Sequence, residues 1–147
     1  MESMLAQSEW WFLERLNYVG ALLVVEVVEG REASVSKNVS IDGAGTVPDA
    51  RPIEVTDQNR RVRIQFSNVL VYQVTDESYG ASDLGKTKEI DGKTLCHHNE
   101  SAYLQYVLQN TLIEHLVDDP AQHYSLNLAD DIIEVITTTE PSIDLIL

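Results

Sequence analysis

The stretch from Arg61 to Thr75 constrains the fold of this chain more than any other. Val62, Ile64 and Phe66 alternate with Arg61, Arg63 and Gln65, the two-residue period of a strand with one apolar and one polar face. The phase then breaks at Ser67-Asn68, because Val69, Val71, Tyr72 and Val74 cannot all continue the first apolar face. A slip of one residue turns every following side chain over, so the sequence predicts a bulge or corner there, and a corner lets one long strand serve two sheets. Val62, Ile64 and Phe66 are expected in the core. Arg61 and Arg63 are expected on the opposite face, meeting carboxylates of the chain itself or a ligand carboxylate or phosphate.

The other elements are read in the same way. The Val-rich run from Ala21 to Glu29, bounded by Gly30, suits a buried strand, and Ala33 to Ile41 suits its partner after a hairpin through Glu29-Gly30-Arg31. Gly43, Gly45 and Pro48 predict a loop over 42–49, and Ile53 with Val55 a short edge strand beside Pro52. Residues 76–94, with Gly80, Gly85 and Gly92, form a long polar connection with room for a short strand. Two closing strands follow from the alternation of Tyr124, Leu126 and Leu128 and from the β-branched Ile132, Ile133, Val135 and Ile136, with an apolar tail from Ile143 to Leu147.

Two helices are expected. Leu104, Val107, Leu108, Leu112 and Leu116 recur at steps of three and four, predicting one long helix over 101–117 capped by Asn99 or Ser101 and ended before Pro120. Leu5 to Tyr18 suits a short N-terminal helix, although Trp10 and Trp11 serve a first strand equally well. This order does not alternate as parallel βαβ units do. The reading is therefore α+β: a mostly antiparallel twisted sheet or partly closed barrel with the 101–117 helix packed on it, residues 1–147 forming a single domain of ordinary size.

Charge is distributed unevenly. The formal net charge is -14, which argues against direct binding of nucleic acid because a phosphate backbone calls for an electropositive footprint. All Lys and Arg precede residue 94, whereas residues 94–147 carry only acids: Glu100, Glu114, Asp118, Asp119, Asp130, Asp131, Glu134, Glu140 and Asp144. Their richness in Leu, Ile, Val and Tyr sets these residues apart from a disordered acidic tail. Either Arg60, Arg61 and Arg63 neutralise part of this half within the fold, or it faces a partner. The second alternative predicts a small binding module, comparable in size and charge to inhibitor and immunity proteins, that engages a basic protein through Glu114, Asp118, Asp119, Asp130 and Asp131. Trp10 and Trp11 are added as aromatic anchors, since three rings at 10–12 cannot all face one core. Self-association through an exposed strand edge is a further alternative.

Motifs for chemistry are sparse. The single Cys96 excludes an intramolecular disulfide and an all-thiolate zinc site. Cys96, His97, His98, His115 and His123 fall within one stretch, and His98, His115 and Asp118 or Asp119 have the residue types that zinc accepts. Their spacing fits no metal motif, since adjacent His97 and His98 point to opposite faces of a strand and no His-x-x-x-His pair occurs. They are read as ordinary loop and surface residues, with a small hydrolase or ligand-binding domain built on the 97–123 cluster as the enzymatic alternative. A Cys96 thiolate activated by a neighbouring His lacks any local signature. Gly43-Ala44-Gly45 lacks the remainder of a phosphate loop or dinucleotide fingerprint, and no Gly-x-Ser-x-Gly elbow is present. No cofactor is expected. The longest apolar run, Ala21 to Val28, is interrupted by Glu26 and is too short to span a bilayer. No secretory leader can be drawn at the start, so a cytoplasmic location without membrane contact is expected.

Overall fold

The computed structural model describes residues 3–33, 37–41, 43, 45–80 and 87–147. Among the described residues twelve strands are formed: β1 Trp10–Val19, β2 Leu22–Glu32, β3 Lys37–Ile41, β4 Gly45–Ala50, β5 Ile53–Glu54, β6 Arg61–Phe66, β7 Val69–Asp76, β8 Thr87–Asp91, β9 Leu95–His98, β10 Gln122–Asn127, β11 Asp131–Thr137 and β12 Ser142–Ile146. Two short helices, α1 Ala102–Asn110 and α2 Ile113–Leu116, lie between β9 and β10. One sheet runs β1-β2-β6-β12 with β5 added beside β2, the second runs β7-β11-β10-β9-β8, and β3 and β4 form a separate hairpin. Every pairing among these strands is antiparallel. Neither sheet closes among the described residues, so the partly closed barrel gives way to two open sheets.

A single buried cluster draws Leu23, Val25, Val27, Val62, Ile64 and Phe66 from the first sheet and Leu95, Tyr124, Leu126, Ile133 and Val135 from the second. The expected corner is present. β6 belongs to one sheet and β7 to the other, and between them Asn68 takes a φ of 52°, a conformation Asn tolerates better than most residues. The return crossing from β11 to β12 is tied to the same corner, because Thr137 Oγ1 and Thr139 Oγ1 both donate to Ser67 O, the latter at 2.7 Å. Val62, Ile64 and Phe66 are buried as expected. Arg61 and Arg63 sit across from them and pair with Glu14 at 2.9 Å and Glu26 at 3.0 Å.

Three expectations are corrected. The N-terminal helix shrinks to a 3-10 turn at Leu5–Gln7, and Trp10–Val19 is a strand whose Trp11 is buried in the core. Gly30 makes no hairpin: β2 runs through it to Glu32, and a Cβ there would lie 2.5 Å from both Phe12 Cε2 and Ile53 Cγ2, so glycine makes room for two packed side chains. The turn after β1 is at Gly20-Ala21 instead, with φ of 58° and 63°, the paired positive values of a type I′ hairpin. The expected strand 33–41 falls partly outside the described residues, and its described part, β3, pairs with β4, so the expected loop 42–49 contains a strand.

The long helix is also corrected. α1 ends at Asn110, where Asn110 Nδ2 donates to Tyr106 O and Thr111 Oγ1 to Val107 O, both at 2.8 Å. Side chains that bond back to carbonyls of the last turn compete with continuation of the helix, and only the single turn of α2 follows. No helix of the described residues is long and apolar enough to cross a membrane.

Candidate functional site

The excursion between β9 and β10 gathers several of the residues singled out from the sequence. Ser101 caps α1 by accepting the Leu104 N–H at 2.9 Å. α1 buries Val107 and α2 buries no residue. The periodic leucines therefore do not mark a core stripe: Tyr106, Leu112 and Leu116 are 63, 67 and 75% exposed. Glu114, Asp118 and Asp119 are exposed on the same excursion, as is His115. Asp130 and Asp131 are not joined to them, because they follow the far end of β10 while the excursion precedes its near end. Trp10 faces partly outward, but Trp11 donates its indole N–H to Leu5 O at 2.8 Å inside the core and cannot anchor a partner.

Of the basic residues expected to neutralise part of the acidic half, Arg60 and Arg61 pair instead with Glu29 and Glu14. Arg60 makes a fork on Glu29, with Nη2–Oε2 at 2.8 Å and Nε–Oε1 at 3.1 Å. The Arg60 backbone N–H and Arg31 also bond this carboxylate. Arg60 first, and then Arg31, hold the Glu29 carboxyl at about 2, well below its ordinary 4.5, despite burial. Within the acidic half, Asp144 is placed opposite Arg63 in register, in a row of alternating sign that runs Arg15, Glu26, Arg63, Asp144 across four strands.

Beneath α1 lies a second feature, a buried polar layer on the outer face of the second sheet. His98 and His123 are directly opposed on β9 and β10, and Ser125 is opposed to Glu134 on β11. Alternation puts all four on one face, while Leu95, Tyr124, Leu126, Ile133 and Val135 fill the core face. The two imidazoles stack with centroids 4.1 Å apart and planes at 15°. His98 Nε2 meets Ser125 Oγ at 2.8 Å, and His123 Nδ1 meets Ser101 Oγ. On the other side of His123, Nε2 lies 2.9 Å from Glu134 Oε2. That contact is not aligned as a hydrogen bond, and the nitrogen is buried without one among the described residues. Tyr103 of α1 closes the layer at 5.2 Å from the His123 ring. Burial first and the Glu134 charge second push its phenol up to about 12, so it stays neutral.

The expected set of His98, His115 and Asp118 or Asp119 is not assembled. Among the described residues the group whose ligand atoms converge is His98, His123 and Glu134, all within 4.8 Å of one another. Glu134 carried no signal beyond being a charge set between Ile133 and Val135 of a β-branched strand. His97 points to the other face, as adjacent strand residues must. There it contacts Asn99 and Gln122 at 3.0 and 2.8 Å and helps line a cleft of about 730 Å³ with Lys88, Glu89, Tyr124 and Glu140. Cys96 is buried, and desolvation together with the Glu89 charge pushes its thiol up. That is the opposite of what a thiolate nucleophile needs. Comparison with protein-family models, curated proteins and solved structures yields no match.

Proposed function

We propose that this chain is a protein-binding module whose α1–α2 excursion engages a basic partner. The observation that carries the reading is the exposure of Tyr106, Leu112 and Leu116 on a segment bearing exposed Glu114, Asp118 and Asp119. Apolar side chains clustered on a surface with a polar rim are typical of interfaces. The residues from 94 onward contain no Lys or Arg to offset these acids. The complementary surface is therefore cationic with apolar side chains of its own: the carboxylates favour fast encounter and select the partner, while burial of the leucines slows dissociation.

The test is affinity capture from native lysate with three baits: the wild type, Leu112→Ser/Leu116→Ser, and Glu114→Gln/Asp118→Asn/Asp119→Asn. A basic protein should be retained by the wild type at low salt, released as salt rises, and lost from both variants. If all three baits retain the same proteins, or if the captured proteins are acidic, the reading fails. Light scattering of the bait alone separates self-association from partner binding.

A further inference from the structure

From the convergence of His98, His123 and Glu134 we infer a binding site for one divalent transition-metal ion, zinc foremost, between the second sheet and α1. Two imidazole nitrogens and a carboxylate oxygen form the mixed N/O donor set that zinc takes at about 2.0 to 2.2 Å. At such bond lengths neighbouring ligand atoms lie roughly 3 to 3.5 Å apart. The Nε2–Oε2 distance of 2.9 Å between His123 and Glu134 is close to this spacing, and the whole set falls within 4.8 Å.

Three features argue for an ion rather than a simple polar contact. First, His123 Nε2 is buried and its near neighbour Glu134 Oε2 is off the hydrogen-bond line. An ion shared by the two atoms does not require that alignment. Second, His123 already has a hydroxyl on its other nitrogen, Ser101 Oγ on Nδ1, and the His98 ring is held by Ser125 Oγ. Such outer partners fix the tautomer and orientation of a metal-bound histidine. Ser101 is equipped for this, because it already accepts the Leu104 N–H and has a second lone pair for an Nδ1–H. Third, the set is not sealed from solvent: the Glu134 side chain is 19% exposed while that of His123 is 1%.

The stacked rings cannot both aim an in-plane lone pair at one point, so binding turns one imidazole about χ2 and brings the 4.8 Å set inward. The bound ion then links β9, β10 and β11 and, through Ser101, the first turn of α1. The inference is independent of partner binding at the exposed face.

Purified protein without a histidine tag, stripped with chelator, is titrated with zinc by calorimetry and with cobalt(II) by visible absorption. The expected result is one saturable ion per chain, a cobalt spectrum with the strong bands of a four-coordinate site, and a rise in the melting temperature of the loaded form. Affinity should fall at least tenfold in His123→Ala and in Glu134→Gln, the latter half-buried and therefore the safer variant for folding, and should be unchanged in the exposed His115→Ala. No saturable binding by the wild type overturns the inference. So does binding that survives Glu134→Gln in protein with a wild-type circular dichroism spectrum, or binding that is lost in His115→Ala.

Discussion

Of the buried polar clusters among the described residues, the one near the end of β2 and the one under α1 are satisfied to different degrees. At the end of β2 the Glu29 carboxylate meets both nitrogens of the Arg60 fork, the Arg60 N–H and Arg31, and Asn59 bonds the Glu29 carbonyl. Under α1, by contrast, His123 Nε2 and Glu134 Oε2 lie 2.9 Å apart without hydrogen-bond alignment. Burying a charge is tolerated when its partners are complete, and such a cluster then holds the structure together. A buried polar group that the fold leaves incompletely served points instead to a ligand. The first cluster is read as architecture and the second as a site.

Removing Glu29 should have the largest effect. Its carboxyl falls from 4.5 to about 2, which corresponds to roughly 3 kcal/mol at neutral pH. Because the Arg60 side chain is 34% exposed against 2% for Glu29, water screens part of this, and Glu29→Gln should cost roughly 2 to 3 kcal/mol in chemical denaturation. A loss under about 0.5 kcal/mol, the range of ordinary surface changes, would remove the basis of the comparison.

The same pair makes a pH prediction with a definite sign. A depressed carboxyl gives stability that is fully present above its ordinary value and is lost as pH falls toward its folded value. The gap between wild type and Glu29→Gln should therefore hold from neutrality down to about pH 4.5 and close as pH approaches 2. A gap independent of pH would assign the loss to packing rather than charge.

For the metal-free second cluster the expected cost is smaller. His123→Leu leaves Ser101 with its Leu104 N–H and leaves Glu134 access to water, so denaturation should shift by about 1 kcal/mol or less. A loss equal to that at Glu29 would make the histidine layer as architectural as the arginine fork. The smallest effect belongs to the excursion: Leu112→Ser/Leu116→Ser should change stability by less than about 0.5 kcal/mol, because both side chains are exposed. A larger loss would place them in the fold rather than at an interface.

What the sequence determined by itself was local and periodic. Alternation along 61–66 set the buried face of β6, and the phase break at Ser67-Asn68 located the crossing between sheets, because a period of two leaves one choice of face. The acidic character of residues 94–147 was equally legible, since charge is a property of composition. Tertiary structure decided the rest. Gly30 reads as a turn until Phe12 and Ile53 are seen occupying the space of its missing Cβ. The leucine period of 101–117 reads as a core stripe until Asn110 and Thr111 end α1 and leave Leu112 and Leu116 in solvent. Most of all, His98, His123 and Glu134 meet only because β9, β10 and β11 pair in one particular register. Pairing partners are chosen by long-range burial, and no spacing along a single chain segment encodes that choice.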